Sequence, residues 1–314
     1  VPQAGYEIRG LWISGLVRKL SWKNLLFPLK VIHSLMKARK IVREFRPHLV
    51  VGTGGFASGP VLQVAASRGI PCVIQEQNSF AGITNKLLAK KARRIFVAYE
   101  GMERFFPGDT LVLSGNPVRQ GLSGALPRQG EALAHFGLEP GRKTLLVLGG
   151  SQGARRINEL IAAEADFLLG LGLQVLWQCG RGYYETCRPF DSERVRVRPF
   201  IAEMEQAYAA ADLIISRAGA GSVSELCLIG KPVLFIPSPN VAEDHQTRNA
   251  RAMVEKEAAL MLTEAELESG FEPLMTALLT ETGRMGQMGA NLRAQARPDA
   301  TRQIVDEIEK ILKN

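Results

Sequence analysis

The apolar and polar positions of this chain follow two alternating periods. Short apolar runs read as buried strands at 49–52, 71–75, 94–98 and 110–114, with helical spacing at 61–67 and 84–91 between them. A second series follows, with strands at 144–148, 174–178, 195–197, 213–216 and 233–236. Its helices are expected at 129–136, 154–169, 204–210, 222–229 and 246–255. Ahead of the first strand, 25–45 has the spacing of an amphipathic helix, with a kink expected at Pro28. The tail, 300–313, puts Ile304, Ile308, Ile311 and Leu312 on one side of a helix that can dock on either half.

Strands alternating with helices imply parallel sheets covered by helices. Asn116-Pro117 and the Gly- and Pro-rich stretch after it place a junction near 118–125. The predicted fold class is therefore α/β, with two doubly wound domains and a cleft between them. Residues 1–119 form the first domain and 120–294 the second. A length of 314 residues suits that division.

Composition narrows the function. With 46% hydrophobic and 22% charged residues, the chain has material for packed cores rather than disorder. Cys72, Cys179, Cys187 and Cys227 are far apart and form no CxxC pair, so they read as small buried hydrophobes. The histidines, His33, His48, His135 and His245, form no cluster, and no metal site or other cofactor is expected. No apolar run approaches the ~18 residues of a spanning helix. The chain opens at Val1 without a charged-then-apolar leader, and a soluble or peripheral cytoplasmic protein with its beginning missing is the expectation.

The net charge of +8 lies wholly in residues 1–50, which hold ten Lys or Arg against Glu7 and Glu44. The same stretch is rich in aromatic and aliphatic groups. Trp12, Arg18, Lys19, Trp22, Lys23, Phe27 and Lys30 together suit an anionic membrane surface. A core-facing helix with a solvated basic back fits the pattern equally. Charge balance in the rest of the chain, and the lack of a nucleic-acid motif, exclude a nucleic-acid partner.

Several segments can carry chemistry. Gly149-Gly-Ser-Gln-Gly-Ala154 joins a strand to a helix, where backbone N–H groups and Ser151 can meet a phosphate. Gly52-Thr-Gly-Gly55 echoes it. In Arg217-Ala-Gly-Ala-Gly-Ser-Val-Ser-Glu225, Ser222 can cap a helix with Glu225 as its capping-box partner. Glu225 can instead bind ribose hydroxyls. Arg119 fits a diphosphate or a salt bridge. Glu76-Gln-Asn78 ends a strand, and Glu76 is either a general base or an ordinary loop carboxylate. Glu243-Asp-His-Gln246 caps a helix or presents His245 and Gln246 to a ligand.

Taken together, the order and spacing of these motifs resemble the MurG family of peripheral glycosyltransferases. The matching stretches are Val51–Pro60, Glu76-Gln-Asn78 with Ala81-Gly82 and Thr84-Asn85, Gly115–Arg119, Gly149–Ala154, Arg198-Pro-Phe-Ile201, Arg217–Glu225 and Asp244-His-Gln246. The resemblance implies the GT-B arrangement of two Rossmann-like domains, with the C-terminal helix, 295–314, returning to complete the first domain. It also implies transfer of N-acetylglucosamine from UDP-N-acetylglucosamine to the muramyl 4-hydroxyl of undecaprenyl-linked lipid I, with inversion, giving lipid II at the cytoplasmic face of the plasma membrane.

By the same resemblance, Glu225 binds ribose, Phe200 and Ile201 meet uracil, and Arg119 and Ser151 address the diphosphate. Ala220 and Gly221 lie beside the donor phosphates, Gln246 contacts the donor, and Glu76 and Asn78 belong to the acceptor loop. The family's opening strand and its GGTGGH loop have no counterpart here, so the first domain is expected to be truncated at its start. Two alternatives stay open: a non-catalytic, membrane-associated nucleotide-sugar-binding fragment, and a related GT-B enzyme with another lipid acceptor.

Overall fold

Residues 5–14, 26–150 and 152–313 are described in the computed structural model, and the chain divides into Val1–Gly115 with Thr301–Asn314, and Asn116–Ala300. The first unit carries 20 Lys or Arg against 9 Asp or Glu, the second 19 against 22, so the basic excess belongs to the first.

In the first unit, α1 (Phe27–Phe45) precedes β1 (Val50–Gly52), α2 (Gly55–Ser67), β2 (Cys72–Glu76), α3 (Ile83–Leu88), β3 (Arg94–Val97) and β4 (Leu111–Leu113). The four strands are parallel in the order β1-β2-β3-β4. Ile74 and Ile95 pack with Leu62 of α2 and Leu88 of α3. Val73 and Phe96 face the other way and meet Ile304, the anchor of the C-terminal helix, with Ile308 and Ile311 beside it. Arg94 Nε lies 3.4 Å from the Glu307 carboxylate on the same helix. The tail therefore docks on the first unit.

Two helices depart from the sequence pattern. Pro28 does not kink α1: it sits in the first turn, where a missing N–H costs nothing. Helix α2 begins at Gly55, six residues early, and carries Pro60 inside it. Packing of Leu62, Val64 and Ala65 overrides the weak propensity of its glycines.

The second unit contains α4 (Gln129–Phe136), β5 (Thr144–Leu148), α5 (Arg155–Ala163), α6 (Ala165–Gly170), β6 (Gln174–Gln178), α7 (Tyr184–Cys187) and β7 (Val195–Arg198). It continues with α8 (Met204–Ala210), β8 (Leu213–Ser216), α9 (Ala220–Ile229), β9 (Val233–Phe235), α10 (His245–Val254), β10 (Leu260–Met261), α11 (Leu267–Thr280) and α12 (Arg284–Ala294). The C-terminal helix of the chain is α13 (Ala300–Lys313).

The second sheet is parallel throughout, in the order β10-β9-β8-β5-β6-β7. Every residue of β5 and β6 is buried, which explains their unbroken apolar centres. Strand order reverses at β5, so the loops after β5 and β8 diverge from neighbouring strand ends. Doubly wound sheets bind ligands in the crevice opened there.

Candidate active site

At the carboxyl end of β5 the chain turns through Gly149–Gly153 into α5. Gly150 and Gly153 have φ of 74° and 79°, a region costly for side-chain-bearing residues. A Cβ on Gly153 would collide with the Cys179 carbonyl, and one on Gly180 with the Gly153 backbone. The loops after β5 and β6 thus touch backbone to backbone. Asn158 braces the start of α5, donating to Cys179 O at 2.8 Å and accepting from Trp177 Nε1 at 3.0 Å. No side chain caps α5, so its leading N–H groups face the loop. Ser151 lies outside the described residues.

Beyond β8, Gly219 is the N-cap of α9, and Ala220 and Gly221 are its first two residues. Ser222, expected as the cap, is the third helical residue. The capping box therefore does not form, and Glu225 is released from that role. The Gly221 Cβ direction is open space. Arg217 fixes the preceding turn, donating to Ile236 O at 2.9 Å and pairing with Glu264 at 2.6 Å.

Glu225 and Arg119 are brought together despite their separation in sequence. Arg119 Nε stands 3.2 Å from Glu225 Oε1, and the Tyr208 hydroxyl donates to Oε2 at 3.2 Å. Burial, then the neighbouring Glu225 charge, holds the Tyr208 phenol far above its usual range, so it remains a donor. Asn116 Nδ2 donates to Ser224 Oγ at 2.9 Å, which ties the segment leading to Arg119 onto α9.

Phe200 is 40% exposed, with the Arg181 guanidinium 5.4 Å from its ring centroid, and Ile201 is buried. The Ile201 N–H donates to Gln178 Oε1 at 3.0 Å. Gln246, on α10, accepts from Ser238 N–H at 2.9 Å through Oε1, so its amide NH2 is the end left to donate. His245 turns away to Ala242 O at 2.8 Å.

In the first unit Glu76 is 2% exposed. Its Oε1 accepts from Asn78 N–H at 3.1 Å and Asn78 Nδ2 at 3.4 Å. Its Oε2 accepts from Gly82 N–H at 3.0 Å and Asn85 Nδ2 at 2.8 Å. A carboxylate whose two oxygens are both engaged organises its loop and is poorly placed to take a proton from a substrate. Of the two readings of Glu76, general base or loop carboxylate, this geometry favours the second. Gln77 Nε2 donates to Thr53 O at 2.9 Å and joins this loop to the glycines before α2.

Helix α1 buries Ser34, Ala38 and Val42 and leaves Leu29, Ile32 and Met36 exposed on the opposite stripe. Trp12 is held over it: its carbonyl accepts from Ser34 Oγ at 2.9 Å, and Lys30 Nζ lies 5.9 Å from its ring. His33 is exposed and meets Trp12 edge-on. Phe27 and Lys30 are half-buried, while Arg18, Lys19, Trp22 and Lys23 lie outside the described residues. All four cysteines are free and buried. Among the described residues no group of His, Cys, Asp or Glu could hold a metal ion.

Residues 1–97 match the glycosyltransferase family 28 N-terminal domain and 144–304 the family 28 C-terminal domain. The chain is 55% identical to a Christiangramia forsetii protein over 314 residues, 100% of this chain and 86% of that one. That relative is named UDP-N-acetylglucosamine--N-acetylmuramyl-(pentapeptide) pyrophosphoryl-undecaprenol N-acetylglucosamine transferase. A Flavobacterium psychrophilum protein of the same name is 54% identical over 315 residues, 100% of this chain and 86% of its own. The crystal structure of Acinetobacter baumannii MurG superposes with a TM-score of 0.77 at 28% identity, covering 98% of this chain and 86% of that one. The chain belongs to the MurG family.

Its two α/β units are those of a GT-B-type family member. Tyr208, Gln178 and Asn158 hold the proposed site residues of this family member in place, and sequence reasoning passed over all three. The one available signal was polarity in apolar company: Tyr208 in an Ala-rich helix and Gln178 at the end of a buried strand.

Proposed function

We infer that this chain transfers N-acetylglucosamine from UDP-N-acetylglucosamine to lipid I, forming lipid II in peptidoglycan synthesis. Identity of 55% across the full length of the chain carries that reading. The protein acts as a peripheral membrane protein on the cytoplasmic face. None of its described helices is long and apolar enough to cross a membrane.

We propose that the donor lies along the carboxyl ends of the second sheet. The carbonyl of Ile201 accepts from the uracil imide, with the Phe200 ring beside the base. Glu225 accepts from the ribose hydroxyls. The diphosphate faces the uncapped N-terminus of α9 at Ala220 and Gly221, the loop holding Ser151, and Arg119. Arg119 exchanges Glu225 for the phosphates when the donor binds. The Gln246 amide donates to the sugar end of the donor.

The muramyl 4-hydroxyl attacks the anomeric carbon, the configuration inverts, and UDP leaves with the bonding electrons. Charge grows on the β-phosphate as that bond breaks. Arg119 and the N-terminus of α9, with the Ser151 hydroxyl, stabilise it there. On the acceptor side, Glu76 shapes the loop that presents Asn78.

Radiolabelled UDP-N-acetylglucosamine with lipid I in vesicles tests the assignment. Label should enter lipid II as UDP is released, and GDP-mannose should be inert. UDP-sugar binding without transfer would instead mark a non-catalytic module, and transfer only to another lipid would mark a different acceptor.

The exposed stripe of α1 meets the bilayer, we propose, with Lys37, Lys40 and Arg43 on anionic headgroups and Trp12, Phe27 and Lys30 at its edge. Reversing those three charges to Glu should abolish co-sedimentation with anionic vesicles at low salt and leave UDP-sugar affinity unchanged. Undiminished co-sedimentation would remove α1 from the membrane surface.

A further inference from the structure

We propose that Tyr208 is a positioning residue for the donor's ribose: it holds Glu225 in the orientation that accepts the ribose hydroxyls. The proposal rests on the reading of Glu225 as the ribose carboxylate and extends it to a residue that touches no substrate.

Glu225 has two partners of different kinds. Arg119, at Oε1, is mostly exposed and carries a charge that a diphosphate can claim. Tyr208, at Oε2, is 2% exposed and sits in α8 between Ala207 and Ala209, both buried. Its ring is fixed by packing, and its hydroxyl donates to the Glu225 oxygen. When Arg119 turns to the phosphates, Oε1 is freed for ribose while Oε2 stays bound.

The carboxylate is thereby kept from swinging after its departing cation. Holding one oxygen removes rotamer freedom that the ligand would otherwise have to quench. A neutral donor does this better than a second cation. It leaves the carboxylate its full negative charge for the ribose hydroxyls and stays in place when Arg119 leaves.

Substrate discrimination tests the proposal. Donor KM and kcat are measured with UDP-N-acetylglucosamine and with its 2′-deoxy and 3′-deoxyribose analogues, for wild type, Tyr208→Phe, Glu225→Ala and the double variant. Tyr208→Phe keeps the ring in its packing, and circular dichroism and melting temperature check that it does. It should raise the donor KM about 10-fold, with kcat changed less than about 2-fold. Preference for ribose over the deoxy analogues should shrink by a similar factor.

In the Glu225→Ala background the Tyr208 substitution should have no further effect on KM, because its route of action is gone. Full ribose preference in Tyr208→Phe, together with its loss in Glu225→Ala, would overturn the role of Tyr208 alone. Full preference in Glu225→Ala would overturn the ribose assignment beneath it. Additive KM effects would make Tyr208 a general packing residue.

Discussion

Truncating Glu76 to Ala should cost the first unit about 3 kcal/mol of stability, the penalty of leaving several buried donors without an acceptor. Asn78 N–H, Gly82 N–H and Asn85 Nδ2 all converge on this carboxylate. Without it the turn from β2 to α3 loses its centre, and transfer to lipid I should fall by more than about 100-fold. Affinity for UDP-N-acetylglucosamine, measured by calorimetry, should stay within about 2-fold, since the proposed donor residues all lie in the other unit.

Glu76→Gln sharpens the test. It keeps the shape but turns an NH2 toward N–H groups, so a loop organiser should again lose stability and activity together. A Gln variant with wild-type melting and no transfer would restore Glu76 as the general base.

Glu225→Ala should weaken UDP-N-acetylglucosamine binding by about 1–3 kcal/mol, or roughly 5- to 150-fold. Two oxygens are lost at once, one paired to Arg119 and one to Tyr208. Arg119 is more than half exposed and recovers water, so the ion pair itself contributes little to folding. The melting temperature should therefore move by only a few degrees while affinity collapses. A capping residue would behave in the opposite sense, but the cap of α9 is Gly219. Equal affinity in the variant and wild type would return Glu225 to a purely structural position.

Much of the frame was legible because burial and periodicity agree. Strands β5, β6 and β8 and helices α4, α8 and α13 fall where the pattern put them, because the period of their apolar positions matches the faces they bury. Helix α2 was misread because Gly55-Phe-Ala-Ser-Gly-Pro60 has the local preference of a loop, and only packing against the sheet makes it helical. The single helix expected over 154–169 breaks at Glu164 into α5 and α6.

Among the site residues, glycines after strands announced the tight turns proposed to face the phosphates, because few other residues permit such turns. The partners of Glu225 could not be read in advance. Arg119 is 106 positions away and Tyr208 lies on a different helix, so their meeting depends on the sheet order. The burial of Glu76 was equally hidden: the sequence shows a polar cluster but not which oxygens are already taken.

Gln178 joins the two ends of the proposed donor site. Its main-chain oxygen accepts from Gly149 N–H at 3.1 Å, and its side-chain oxygen from Ile201 N–H at 3.0 Å. The loop after β5 and the segment at Ile201, proposed to meet the phosphates and the base, are thus pinned to one buried residue, and the contact of Gly153 with Gly180 removes the remaining slack. The site behaves as a gauge of fixed span. On the proposed placement of the donor, the distance between its base and its diphosphate is measured before any group on its sugar is inspected, and a nucleotide of the wrong length should be refused by geometry alone.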